Sequence, residues 1–112
     1  MNNVNLTGRL TADPELIPTK TGTPLVVLRV VIFRPGRTRV VFCDVRTFGK
    51  QALLCAANFR KGQLIGVAGR LEFEEWTAKL GGRRSLLYVI GERIYDADAS
   101  AGGSTPDESV TA

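Results

Sequence analysis

The sequence contains no histidine and only two cysteines, Cys43 and Cys55. Histidine is the commonest general base near neutral pH and the commonest metal ligand, so such sites lack their usual residue. Two cysteines cannot form a four-cysteine zinc site, and their separation does not match a redox C-x-x-C motif. We therefore expect no metal, no cofactor and no catalytic residues. The cysteines are either reduced, buried thiols or partners in a disulfide between subunits.

Long apolar segments are also missing. No run approaches the roughly 20 residues that a membrane-spanning helix requires. Residues 1–5 have neither the basic start nor the apolar stretch of a secretory signal. At 112 residues the chain is long enough for one hydrophobic core but not for two. We therefore expect a single soluble domain in the cytoplasm that is not associated with a membrane.

Charge is distributed unevenly along the chain. Residues 96–112 contain four acidic residues and no Lys or Arg, whereas residues 1–95 hold all 15 basic residues and 7 acidic ones, a net charge of +8. This charge favours a polyanionic partner, nucleic acid before an anionic membrane surface, and a solubilising surface is the alternative. The end of the chain, acids among Ala, Ser and Gly, has a composition typical of disorder.

Five segments are rich in β-branched residues, and one segment between them is rich in alanine and leucine. The predicted strands are residues 3–10, 25–33, 38–48, 63–77 and 85–95, and the predicted helix is residues 50–60. Three strands, a helix and two strands are the order of an all-β OB-fold, a five-stranded barrel that often binds nucleic acid. We predict this domain for residues 1–95 and a short acidic disordered tail for residues 96–112. A different small barrel, or an open sheet capped by the helix, is the alternative.

The third predicted strand has an unusual outward face. Alternation assigns one set to the core and one to the outside. The core set is Val41, Cys43, Val45 and Thr47, and the outward set is Phe42, Asp44, Arg46 and Phe48. Two rings about 20 Å apart suit separate bases of a single strand, because an aromatic ring stacks on any base. Trp76, near the turn at Gly81 and Gly82, is a third candidate. A second hydrophobic face or a subunit contact is the alternative for these rings.

Basic residues cluster around the same strand. Between residues 29 and 50 the only acidic residue is Asp44, and most cations are arginine, which can pair with phosphate and lie flat on a base. With those of the last hairpin and the helix end, the candidate DNA-binding cations are Arg29, Arg34, Arg37, Arg39, Arg46, Lys50, Arg60, Lys61, Arg83 and Arg84. The set, interleaved with aromatic rings, predicts binding of single-stranded nucleic acid without sequence preference.

Three glutamates lie just before Trp76. Alternation places Glu72 and Glu74 on the same face as that ring. These carboxylates either repel a passing phosphate, which is the interpretation we prefer, or pair with Arg83 and Arg84 across the last hairpin.

Short motifs along the chain resemble those of the bacterial single-stranded DNA-binding (SSB) family. In order they are Met1-Asn2-Asn3-Val4, Gly8-Arg9-Leu10, Asp13-Pro14-Glu15-Leu16, Thr21-Gly22-Thr23-Pro24, Phe48-Gly49-Lys50-Gln51-Ala52, Arg60-Lys61-Gly62, Val67-Ala68-Gly69-Arg70-Leu71 and Trp76-Thr77. They extend over residues 1–95 and are specific as a set. The resemblance implies an OB-fold, usually a homotetramer, that binds and protects single-stranded DNA in replication, recombination and repair.

The resemblance also implies roles for individual residues. Phe48 and Trp76 fall at stacking positions of the family, and Phe42 stands where many members carry tryptophan. Basic positions of the family are matched by Lys50 and by the pair Arg60-Lys61.

Three features depart from the family pattern. The hairpin at residues 34–37 is short and lacks the usual extra aromatic residue, and acids replace basic residues before Trp76. The chain also ends without the acidic tip, closing in phenylalanine, that recruits repair enzymes. We therefore expect a short-tailed paralogue that binds single-stranded DNA without tail-mediated recruitment of repair proteins. An OB-fold protein-interaction module and a single-stranded RNA binder are the alternatives.

Overall fold

The computed structural model describes residues 1–36 and 38–98. In chain order its elements are β1 (Val4–Leu10), β2 (Leu16–Ile17), β3 (Leu25–Phe33), β4 (Val40–Phe48), α1 (Gly49–Asn58), β5 (Leu64–Thr77) and β6 (Arg83–Asp96). The five predicted strands and the helix are therefore confirmed, with ends that move by at most two residues. The additional strand, β2, is only two residues long.

Five of the strands close into a barrel. Their order is β1-β5-β6-β4-β3, and β3 pairs back onto β1 where Arg9 meets Val31 and Leu10 meets Val30. Gly8 permits this closure, because a Cβ atom there would clash with the Val30 side chain and the carbonyl oxygen of Val31. The helix lies between the third and fourth long strands, so the predicted OB-fold architecture is confirmed.

The core lies inside this barrel. Its buried members are Leu10, Val26, Leu28, Val30, Val45, Ala52, Cys55, Phe59, Ile65, Val67 and Val89. Three of them come from α1 and its end and bring the helix against the strands, because positions three and four residues apart share one helix face. The strand residues among them recur in steps of two, as a half-buried strand requires.

Gln51 joins the helix to an irregularity in β6. The pairing of β5 with β6 shifts register between Ala68 and Gly69, so that β6 carries one extra residue at this point. The Gln51 amide donates to the carbonyl oxygen of Gly91 at 2.9 Å and accepts from the backbone N–H of Ile94 at 3.1 Å. One side chain thus satisfies a backbone acceptor and a backbone donor of β6 on the two sides of the bulge.

The predicted core set of β4 is wrong at one position. Val45 and Thr47 are buried and Cys43 is half-buried, but Val41 is 50% exposed. The pairing of β4 with β6 covers only Val45 and Arg46, so the start of β4 has β3 as its only paired neighbour in the described sheet. Alternation predicted the direction in which Val41 points, but it could not predict where the barrel ends.

The predicted tail is corrected at its start. Asp96 belongs to β6, and the carboxylate of Asp98 accepts a hydrogen bond from the backbone N–H of Leu64 at 3.1 Å. Asp98 also lies 3.7 Å from the guanidinium of Arg9. These two acids therefore contact the barrel. Residues 99–112 lie outside the described part of the chain, so the prediction of disorder for them stays a prediction.

Candidate nucleic-acid interface

One continuous surface covers the outside of β3, β4, β6 and β5 and is termed the outer face. In register, Val27 lies beside Arg46, Arg46 beside Ile90, and Ile90 beside Arg70. Paired residues share one face of a sheet, and steps of two along each strand extend that face. Apart from the four residues just named, the outer face thus includes Arg29, Phe42, Asp44, Phe48, Glu72, Glu74, Trp76, Arg84, Leu86 and Tyr88.

The three predicted stacking rings all lie on the outer face. Phe42, Phe48 and Trp76 are between 44% and 56% exposed. A ring that is about half exposed rests on the sheet and still presents surface to a ligand. The Cζ atom of Arg29 lies 5.7 Å from the centroid of the Phe42 ring, close enough for a cation–π contact. The structure therefore places these rings where stacking on bases is sterically possible.

Four of the predicted cations lie at the edges of the outer face. Lys50 is exposed in the first turn of α1, where β4 ends, and Arg84 is in register with Trp76. Arg34 and Arg39 are exposed in the connection between β3 and β4. A strand that crosses the rings would therefore meet positive charge at both ends of β4 and at the tip of the last hairpin.

Other predicted cations are not brought to this surface. Arg60 and Lys61 follow α1, whose ten residues, about 15 Å of helix, separate them from Phe48. The guanidinium of Arg60 donates to the carbonyl oxygen of Phe59 at 2.7 Å. Arg83 lies on the opposite face of the last hairpin from Trp76. Arg37 lies outside the described residues.

The arginine at the centre of the outer face is already engaged. Arg46 Nη2 donates to Glu74 Oε1 at 2.8 Å, and the Cζ atom of Arg46 lies 3.9 Å from the centroid of the Tyr88 ring. The predicted site residue Arg46 therefore lies between the rings as expected, but its charge is balanced by a carboxylate.

The glutamates before Trp76 are paired rather than bare, which contradicts the preferred interpretation that they repel phosphate. Glu75, which lies on the other face of β5, is 3.3 Å from Arg83. Glu74 pairs with Arg46 and Glu72 pairs with Arg70 at 3.0 Å, so the partners Arg83 and Arg84 that the alternative named for these two glutamates are wrong. Hydrogen bonds to Glu72 and then Glu92 raise the pKa of the Arg70 guanidinium.

Half-exposed rings with cations at their margins can stack on unpaired bases while the cations contact the phosphates. Residues 1–96 match the model of the single-strand binding protein family. The chain belongs to this family.

Curated relatives carry the same description. A single-stranded DNA-binding protein of Clostridium tetani is 38% identical over 84% of this chain and 68% of the relative. One from Caldanaerobacter subterraneus subsp. tengcongensis is 32% identical over 96% of this chain and 77% of the relative. A third, from Aquifex aeolicus, is 35% identical over 84% of this chain and 68% of the relative. The family resemblance recognised in the sequence motifs is thereby confirmed.

One residue of the outer face, Tyr88, was missed by the sequence reasoning. Its signal was present, because alternation from Arg84 leads through Leu86 to Tyr88 on the same side of β6. Its immediate neighbours Leu87 and Val89 are apolar, so the residue types around it did not mark an outward face. The role of Tyr88 depends on Arg46, which comes from a strand more than 40 residues earlier in the chain.

The thiols show no reactive environment. Burial raises the pKa of Cys55 to about 11, and burial followed by the nearby charge of Asp44 raises the pKa of Cys43. Both cysteines are free, and a thiol with a raised pKa carries little of the reactive thiolate at neutral pH. Among residues 1–36 and 38–98, no cluster of acidic or cysteine residues has the arrangement of a metal site, and no helix is long and apolar enough to span a bilayer.

Proposed function

We propose that this protein binds single-stranded DNA without sequence preference and protects it in replication, recombination and repair, as a non-enzymatic member of its family. The observation that carries the proposal is the outer face, on which Phe42, Phe48 and Trp76 are half exposed on one sheet surface. Its partner is then the DNA of the nucleoid, in the cytoplasm.

The same surface explains why base identity has little influence. Stacking uses the flat face that every base has, at about 1–3 kcal/mol per base. Reading a base requires free hydrogen-bonding groups aimed at its edge. On the outer face the polar side chains of Arg46 and Glu74 are bonded to each other, and Asp44 lies 3.7 Å from Arg29. Stacking and phosphate contacts therefore provide most of the affinity.

Fluorescence titration tests this function directly, because Trp76 is the only tryptophan. We expect oligo(dT) to quench its emission strongly and saturably, since a base stacked on the indole contacts it directly. Duplex DNA of the same length, whose bases are stacked within the helix, should quench weakly.

The other ligands separate the alternatives. Equal quenching by oligo(rU) would indicate a binder of single strands in general, because nothing would then distinguish the 2′-hydroxyl. No response to oligo(dT), oligo(rU) or duplex DNA would contradict the proposal and favour the protein-interaction module.

We also propose that the chain assembles as a homotetramer. The opposite face of the β5–β6 hairpin carries Leu71, Phe73 and Leu87, which are 42%, 55% and 59% exposed. Phe73 and Leu87 are direct cross-strand partners. Adjacent large apolar side chains on a projecting hairpin are typical of a surface that another protein covers, and a second copy of the chain is the partner that we propose.

Light scattering coupled to gel filtration tests the assembly. We expect a mass about four times the 12.2 kDa of one chain, and a smaller mass for a Phe73→Ser, Leu87→Ser variant because the apolar contact is lost. A monomeric wild-type protein would contradict the tetramer. A variant that stays tetrameric would show that subunits meet elsewhere.

A further inference from the structure

Arg46 differs from the other paired arginines of the outer face in its exposure. Its side chain is 25% exposed, against 61% for Arg29 and 44% for Arg70, although all three lie on the same sheet surface. Its guanidinium is hydrogen-bonded to Glu74 and lies 3.9 Å from the centroid of the Tyr88 ring, whereas that of Arg29 lies 5.7 Å from the centroid of Phe42.

The strand order explains this geometry. Arg46 is on β4 and Glu74 is on β5, with β6 between them, so their strands are about 10 Å apart across the sheet and the two residues are also offset along it. In register Arg46 lies beside Ile90 and Glu74 beside Leu86, and Tyr88 is the outer-face residue of β6 between those two. An ion pair between Arg46 of β4 and Glu74 of β5 must therefore cross over Tyr88.

We propose that Arg46, held over Tyr88 by Glu74, is a fourth stacking platform of the outer face and takes a nucleobase on its outward side. This inference rests on the proposed binding of single-stranded DNA. A guanidinium is planar and delocalised, and bases stack on it as they do on aromatic rings. At 3.9 Å from the ring centroid the guanidinium is in contact with the ring below, and the side chain keeps 25% of its surface exposed to solvent.

A phosphate is a poorer occupant of this position than a base. It would have to displace the carboxylate that lies 2.8 Å from Arg46 Nη2, which exchanges one anion for another and leaves Glu74 without a partner. A base needs no displacement, because it approaches the plane and not the edge. Two fixed contacts also hold the arginine in place, so stacking on it orders little additional side-chain freedom.

The platform fills a gap between the aromatic rings. Measured along the strand register, Phe48 and Trp76 lie roughly 25–30 Å apart, with the Arg46–Tyr88 contact between them. A strand that reaches both rings has to cross this surface, and the guanidinium gives its bases a flat contact on the way.

Arg46→Lys is the deciding variant, because lysine keeps the charge but has no planar group. We expect affinity for oligo(dT) to fall about fivefold to tenfold, the lower part of the range for one lost stack. The salt dependence should be unchanged, and so should affinity for an abasic oligonucleotide of equal length, which has phosphates but no bases. Arg93→Lys is the matched control: Arg93 is exposed, lies beside Ala68 on the far side of the bulge, and should give wild-type affinity.

A second pair of variants tests the support beneath the arginine. Tyr88→Phe keeps the ring and should bind oligo(dT) like the wild type, whereas Tyr88→Leu should lose affinity to about the same extent as Arg46→Lys. Melting temperatures of all variants confirm that the comparison is made between folded proteins.

The outcomes distinguish this inference from the proposed function. If the wild-type protein fails to bind oligo(dT), the proposed function itself is wrong. If the wild-type protein binds oligo(dT) and the Arg46→Lys variant binds it equally well, the proposed stacking on Arg46 is wrong and the proposed function stands. An equal loss on oligo(dT) and on the abasic strand would also overturn it, since Arg46 would then contact phosphate.

Discussion

Replacing Phe48 and Trp76 together by alanine is expected to weaken oligo(dT) binding by about 2–6 kcal/mol, a loss of at least roughly 25-fold in affinity. We expect each ring to account for one base stack of about 1–3 kcal/mol, and sites this far apart to contribute nearly additively. Because the variant lacks tryptophan, the anisotropy of a dye-labelled oligonucleotide replaces intrinsic fluorescence as the measurement.

The fold should survive this double change. Phe48 and Trp76 are 44% and 46% exposed and are not among the buried core residues, so the melting temperature should fall little. Leu53→Ala is a suitable control, because Leu53 is 48% exposed on α1 and is not one of the outer-face residues. Binding that resists the double substitution would show that the rings are not stacking positions. A large loss of thermal stability would show that they support the fold.

The strands and the direction of the rings were predictable because they depend on local pattern. The β-branched segments, the alanine-rich helix and the glycine turns indicated the element order, and that order is restricted enough to indicate the barrel. Alternation alone placed Phe42 and Phe48 on the outside of β4, opposite the buried Val45 and Thr47. These conclusions needed no knowledge of which strands become neighbours.

The partners across the sheet were not predictable in the same way. Arg46 meets Glu74 because β4 lies parallel to β6 in the closed barrel, a pairing of only two residues between strands far apart in sequence. Arg83 and Arg84 were predicted as partners of the glutamates because β6, the second strand of the hairpin, is the one neighbour of β5 that chain order indicates. The same lack of long-range information hid the contact of Tyr88 with Arg46 and the exposure of Val41, which lies beyond the part of β4 that pairs with β6.

The ion pairs reduce the number of cations that determine how the affinity for DNA depends on salt concentration. An arginine and its paired carboxylate together contribute no net charge to the surface. We therefore expect phosphate to be neutralised by the cations for which the structure gives no ion pair within residues 1–36 and 38–98. At the edges of the outer face these are Arg34, Arg39, Lys50 and Arg84. The single-strand slope of about −0.7 per neutralised phosphate then gives a slope of about −3 for log affinity against log salt.

Affinity for oligo(dT) should therefore fall about 50-fold between about 50 and 200 mM salt. Lys50→Gln with Arg84→Gln should make the slope shallower by about 1.4, because two phosphate contacts are lost. The informative comparison is Arg29→Gln with Asp44→Asn, which removes an ion pair at 3.7 Å and leaves the net charge as it was. That variant should keep the wild-type slope. If it flattens the slope as much as the loss of Lys50 and Arg84 does, Arg29 leaves Asp44 to bind phosphate. A wild-type affinity that does not respond to salt would exclude phosphate neutralisation altogether.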